Sequence, residues 1–143
     1  MRPWRPDDAP ALAAAWADPE VQRWTAVPPR RTEADAARWI AGEAERRRRG
    51  LAVDLVVSPA DGDDVWGEVG LGPIDWPSGT ANLGWWVAAP ARGRGVATRA
   101  AVLLATWATT ALALQVATEV DPANPASARI AARVRAAVHA SRR

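Results

Sequence analysis

Between positions 51 and 88 apolar residues recur at every second place, and on either side of this stretch they recur with the spacing of a helix. A period of two belongs to strands and one near 3.6 to helices, so this chain has to pack helices against a central sheet. Leu51, Val53, Leu55 and Val57 form the first run, segment 60–64 reads as a hairpin turn, and 65–71 returns as its partner strand. Residues 73–79 make a second turn and 82–88 a third antiparallel strand. Before these strands, Asp7 or Asp8 caps a helix that accepts Pro10 in its first turn and runs through Trp16, and Asp18-Pro19 breaks it. Thr32 with Asp35 gives a capping-box start to a helix that turns Trp39 and Ile40 inward and ends at Gly50. After the strands, Val96, Ala100, Leu103, Leu104, Trp107 and Ala111 mark the buried face of another helix. Segment 112–120 then reads as a strand, and 121–127 as a loop into a last helix with Ile130, Val134, Ala137 and Val138 on one face.

A length of 143 residues with 49% hydrophobic side chains suits one domain, 1–143, with its own core. The chain has no cysteine and a single histidine, His139, which excludes disulfides, thiolate metal sites, a thiol nucleophile and a histidine zinc cluster. Nine tryptophans stand without any Phe or Tyr, so no tyrosine hydroxyl can serve as a proton donor. All basic side chains are arginines, and the net charge of +2 is too small for the positive field of a nucleic-acid binder. The arginines at 46–49 fit a solvated helix end, where cations complement the dipole. MRPWRPDD has no apolar stretch of signal-peptide length, and threonines and Gln115 interrupt the charge-free run 100–118, so neither export nor a membrane span is expected and the cytoplasm is the expected compartment.

The chemistry is concentrated where a strand meets Ala89-Pro90-Ala91, then Arg92-Gly93-Arg94-Gly95-Val96-Ala97-Thr98, then a helix. A glycine-rich turn entering a helix leaves backbone N–H groups without intrahelical acceptors, and with the positive end of the dipole these grip phosphate oxygens. Arg92, Arg94 and Arg99 add charged donors. No Lys-Ser/Thr pair follows for a Walker A loop, and GxGxxG is incomplete, so both nucleotide fingerprints fail.

Residues 92–97 are similar to the Q/RxxGxG/A loop of the GNAT superfamily of acetyl-CoA-dependent N-acetyltransferases. LGWWVAAPARGRGVATRA, followed one helix and one strand later by ValAspProAlaAsnProAlaSer, resembles the RimJ/RimL-type branch, and order and spacing agree over 2–134. The resemblance implies an α/β fold of the α+β kind: a mixed, mostly antiparallel sheet with flanking helices. It also implies acetyl-CoA as co-substrate, no metal, and acetyl transfer to a primary amine of a protein N-terminus or small molecule. In such enzymes the strand before the loop splays from the next, and its free backbone groups, here around Trp86, Val87 and Ala88, bond the pantetheine arm. The pyrophosphate would lie on Gly93, Gly95, Val96, Ala97 and Thr98, with Asn124 on the far side and Ser127 as the acid for the leaving thiolate.

Two departures accompany the resemblance. Asn82 stands where this branch often has glutamate, leaving Glu68 and Glu119 as candidate bases, each with an ordinary solvated role beside the catalytic one. The family continues with two more strands after the last helix, whereas this sequence ends at Arg143, so the expected sheet lacks them and exposes an edge that invites a homodimer. A non-catalytic acyl-CoA-binding domain is therefore the alternative function. Trp16 and Trp39 suit the core, while Trp24 and Trp76, flanked by loop residues, suit pocket walls.

Overall fold

The alternation between 51 and 88 produces an antiparallel ladder. In the computed structural model, which describes residues 1–143, β1 (Arg2–Pro3), β2 (Val53–Val57), β3 (Gly67–Asp75) and β4 (Thr80–Val87) pair in that order, each antiparallel to the next. β5 (Gln115–Ala117) joins β4 in parallel, giving a five-stranded, mostly antiparallel sheet. On one face lie α1 (Ala9–Ala17), α2 (Pro19–Trp24) and α3 (Glu33–Arg48), on the other α4 (Val96–Ala111) and α5 (Pro125–Ser141). Val56, Glu68 and Trp86 stand opposite one another on the first face, with Trp4, Leu12, Trp16, Ala36 and Ile40 packed over Val56 and Trp86. Val69, Leu71 and Leu83 carry the second core beneath α4, with Leu114 and Val134. Both faces are covered, so each core can shed water independently.

Local chemistry sets the element ends. Thr32 and Asp35 close their capping box on α3, and Gly50, at φ 69°, ends it while the N–H groups of Gly50 and Leu51 return to the carbonyls of Arg47 and Arg46. Arg2 grips both carboxylate oxygens of Asp8 at 2.7 and 2.9 Å, pinning the two-residue β1 to the start of α1. No helix is long and apolar enough to cross a membrane.

Four expectations need correction. Pro73 does not begin a turn: β3 runs to Asp75 through a register shift between Leu71 and Ile74 that accommodates the missing N–H, and the turn falls at 76–79. Asp18-Pro19 ends one helix but starts another, because the Asp18 carboxylate caps α2 through the N–H of Glu20 at 2.8 Å and Pro19 suits a first helical position. β5 spans only Gln115–Ala117, since α4 persists to Ala111 and the N–H of Leu114 still reaches back to the carbonyl of Ala108 around a left-handed Ala113 at φ 55°. Finally, α4 is rotated from the expected face: Ala97, Ala100, Ala101, Leu104, Ala105 and Ala108 are buried, whereas Leu103 is 61% and Trp107 44% exposed. Alanines let the helix axis approach the sheet closely, so close packing, rather than the bulkiest side chains, chooses the inward face.

Candidate active site

Gly93 and Gly95 adopt φ 74° and 70°, a left-handed backbone that disfavours residues with a Cβ, and between them the chain folds back into the first turn of α4. The first helical bond runs from Arg99 N–H to the Gly95 carbonyl at 3.1 Å, so the amides of residues 93–98 donate to no backbone acceptor. A Cβ at Gly93 would meet nothing within 4 Å, so the space beside that glycine is open, whereas one at Gly95 would meet Arg99 Nη1 at 2.9 Å. The loop opens onto a cleft of ≈ 440 Å³, whose wall includes Gly93, Gly95, Val96, Ala97 and Thr98. The arginines are less available than the sequence suggests. Arg92 lines the cleft, but its Nε donates to the Val87 carbonyl at 3.0 Å and its Nη2 to Asp18 at 2.8 Å. Arg94 lies outside the cleft with its guanidinium over the Trp66 ring at 4.4 Å, and Arg99 Nη1 donates to the Arg94 carbonyl.

The cleft continues along β4 past Trp85, Trp86 and Val87. β5 keeps pace with β4 only from Thr80 to Asn82, and beyond Asn82 the edge of β4 has no partner strand. Strand alternation identifies the free groups. Ala88 N–H donates to the Trp66 carbonyl on the β3 side, and the Gly79 carbonyl accepts from Gln115 on the β5 side, so odd-numbered residues of β4 face the gap. The open backbone groups therefore belong to Trp85 and Val87, with the Val87 carbonyl already held by Arg92, and not to Trp86 and Ala88, which bond β3. Trp86 still lines the cleft, and Ala88 lies outside it.

α5 brings Asn124 and Ser127 to the opposite wall. Asn124 is the helix N-cap, its Oδ1 accepting from Ser127 N–H at 3.0 Å. With Asn124 as the cap, the Ser127 hydroxyl has no hydrogen bond inside the protein, and Ser127 lines the cleft. Trp24 lines the cleft, but Trp76 does not; its indole N–H donates to the Gly50 carbonyl at 2.8 Å.

Neither candidate carboxylate lies in the cleft wall; Glu68 belongs to the sheet face under α1–α3, and Glu119 lies just beyond the end of β5. Glu68 sits between Val56 and Trp86, and its Oε2 is sealed from solvent with no hydrogen-bond partner. Burial pushes its pKa up to about 8, and the Asp54 carboxylate adds to the shift; the indoles of Trp4 and Trp86 and the Arg46 cation oppose it. Glu119 is exposed and accepts from Asn82 Nδ2 at 3.4 Å, so the amide in the place of the branch's glutamate is tied to a carboxylate on the neighbouring segment. Sequence reading passed over Asp54, Gly70, Gly84 and Trp85. Period-two parity places the first three on the face of Glu68 and was the signal available for finding them.

The fold agrees with three comparisons. The acetyltransferase (GNAT) domain family matches residues 1–136. An uncharacterized N-acetyltransferase p20 of Bacillus licheniformis is 27% identical over 131 residues, 91% of this chain and 74% of the relative. Among solved structures, Mycobacterium smegmatis RimJ in complex with CoA-disulfide superposes with a TM-score of 0.78 at 24% identity, covering 92% of this chain and 66% of that one. A ribosomal-protein-S5-alanine acetyltransferase from Vibrio fischeri gives 0.81 at 20% identity, covering 93% and 76%. The chain thus spans about two thirds to three quarters of the proteins it resembles. With the family matched across nearly the whole sequence, the chain belongs to the GNAT acetyltransferases, enzymes that use acetyl-CoA to acetylate amines.

Proposed function

We propose that this chain transfers the acetyl group of acetyl-CoA to a primary amine by direct attack within a ternary complex, using the cleft between β4, α4 and α5. The observation that carries the reading is the run of unacceptored amides at 93–98 opening onto the cleft, a seat for a diphosphate at a helix N-terminus. Trp85 and the Val87 N–H offer a strand edge to the amides of a pantetheine arm, and Asn124 Nδ2 faces it from α5. The amine nitrogen forms the new amide bond, the thioester C–S bond breaks, and the thiolate leaves with a proton supplied by the Ser127 hydroxyl, which regains one from the attacking nitrogen as that nitrogen becomes an amide. The incoming ammonium must first lose a proton; Glu68, whose pKa of about 8 suits a base, is the first candidate to accept it, acting through water because it lies outside the cleft wall. Glu119, reached through Asn82, is the second candidate for that role. Positioning and backbone donors account for the remaining lowering of the barrier.

Acetyl-CoA at a hundredfold excess over its dissociation constant is expected to raise thermal stability by about 2.7 kcal/mol. Gly93→Asn, a residue that tolerates left-handed backbone, should retain the fold but fill the seat and weaken binding at least about tenfold. Thiol release in the presence of an amine then separates an enzyme from a binder. Unchanged affinity in Gly93→Asn would remove the phosphate assignment.

A further inference from the structure

Three charged side chains line the cleft, and only one is an acid. Arg92 is committed to Asp18 and the Val87 carbonyl, and Arg129 stands on α5. The acid is Glu20 of α2, exposed and without a cation inside ion-pairing distance. Arg23, three residues on and spaced to pair with it, lies instead with its guanidinium over the Trp24 ring at 4.5 Å. Trp24 in turn holds Glu20: its Nε1 donates to Glu20 Oε2 at 3.1 Å, which orients the carboxylate and leaves Oε1 without a partner. With Glu68 and Glu119 outside the wall, Glu20 is the one carboxylate that a molecule inside the cleft can touch.

The cleft is built from both layers of the fold. α2 belongs to the helices on one sheet face, while the loop at 93–98 enters α4 and Asn124 and Ser127 begin α5, both on the other. The two layers share one cleft beside the rim of β4, which has no partner strand past Asn82. A thioester lying along that rim is therefore bounded by α5 from one layer and by Glu20 and Trp24 of α2 from the other. Direct transfer requires both substrates to be bound at once. With the loop and α5 engaged by the cofactor, the α2 wall is the part left for the second substrate. A primary amine arrives at neutral pH as an ammonium, and an oriented carboxylate with a free oxygen is its complement.

Resting on the acetyl-transfer reading, we propose that Glu20 docks the acceptor, its Oε1 taking a hydrogen bond from the incoming ammonium, and that Trp24 is the positioning residue that holds the carboxylate for it. The contact is made on entry. Once the amine has given up its proton through water, the neutral nitrogen leaves the carboxylate and turns to the thioester. Alcohols carry no charge and gain no such hold, so Glu20 selects nitrogen over oxygen acceptors.

The test titrates two matched pairs into the free chain and into the chain loaded with CoA, which has no acetyl group and cannot turn over. One pair is butylamine and butanol; the other is an alanine-initiated peptide and the same peptide with propionyl in place of alanyl. In at least one pair the cationic member should bind at least about tenfold more tightly. Glu20→Gln keeps an oxygen for the Trp24 indole and loses only the charge. It should bring that ratio towards one, leave acetyl-CoA affinity unchanged, and raise the amine KM about tenfold with kcat within about twofold. Glu20→Lys should push the ratio below one, and Trp24→Phe, which keeps the ring without its N–H, should lower it partway. No preference for the cation in either pair, a ratio that survives Glu20→Gln, or a loss of acetyl-CoA affinity in that variant overturns the docking role even if amines are acetylated. A cation preference that needs Glu20, in a chain that releases no thiol, would uphold the docking role while refuting acetyl transfer.

Discussion

Glu68 shows how one residue can trade stability for chemistry. Its folded pKa of about 8 lies above that of an exposed glutamate, so the native state holds a proton that the unfolded chain releases. The sign follows directly: the native state is favoured with Glu68 neutral at low pH and loses that advantage as pH rises from about 4.5 towards 8. Glu68→Gln is therefore expected to match the parent near pH 4 and exceed it by roughly 1–3 kcal/mol at pH 8, read from denaturant midpoints across pH. The same variant should lose the limb of the kcat/KM profile that climbs towards pH 8, with turnover down about a hundredfold. Parallel stability curves would mean that Glu68 is solvated after all. The sequence marked this glutamate as a strand carboxylate, but nothing local could reveal its burial, which depends on Trp4 arriving beside the N-terminal strand to pack at a tilt against Trp86 at 6.4 Å and edge-on to Trp39 at 5.8 Å. Trp85 was missed for the opposite reason: which backbone groups of a strand are free is set by hydrogen-bond parity, and parity needs a partner strand to be counted from.

At the scale of elements, α4 is the informative case. Its existence, its start after Gly95 and its glycine-rich approach were all legible from spacing, yet its orientation was not. Weighting large apolar residues pointed Leu103 and Trp107 inward, whereas the alanine stripe is what fits against β3 and β4. Leu103→Glu and Trp107→Lys are accordingly expected to change stability by less than about 0.5 kcal/mol, while Ala101→Leu or Ala105→Leu should cost about 1–3 kcal/mol by overpacking. Thermal denaturation of the four variants decides between the two faces, and a large loss in Leu103→Glu would contradict the packing described. The capping box of α3 and the stop at Gly50 were readable because both are made by residues close in sequence. β5 was overestimated because its length is limited by how far α4 unwinds, and alternation in 112–120 does not record that.

Across the whole molecule, the two sheet faces communicate through Arg92. Its guanidinium bridges the last carbonyl of β4 to Asp18, which simultaneously caps α2, so the glycine-rich loop and the helical layer on the opposite sheet face share one ion pair. Asp18→Ala removes both the pair and the cap, whereas Asp18→Asn keeps a capping acceptor and loses only the charge. The alanine variant is expected to lose about 1 kcal/mol of stability, the asparagine variant little, and both to bind acetyl-CoA several-fold more weakly. Denaturation and calorimetry together measure these outcomes, and unaltered affinity in both variants would show that the loop is held without Asp18. That junction joins residues far apart in sequence, and only the folded chain brings them within reach.

The early parting of β5 from β4 has one further effect. Past Asn82 the outer rim of β4 offers an unfinished ladder, and a guest can complete it only by presenting amides at peptide-like intervals. The host thereby screens its visitors by backbone mimicry before any acyl group is reached.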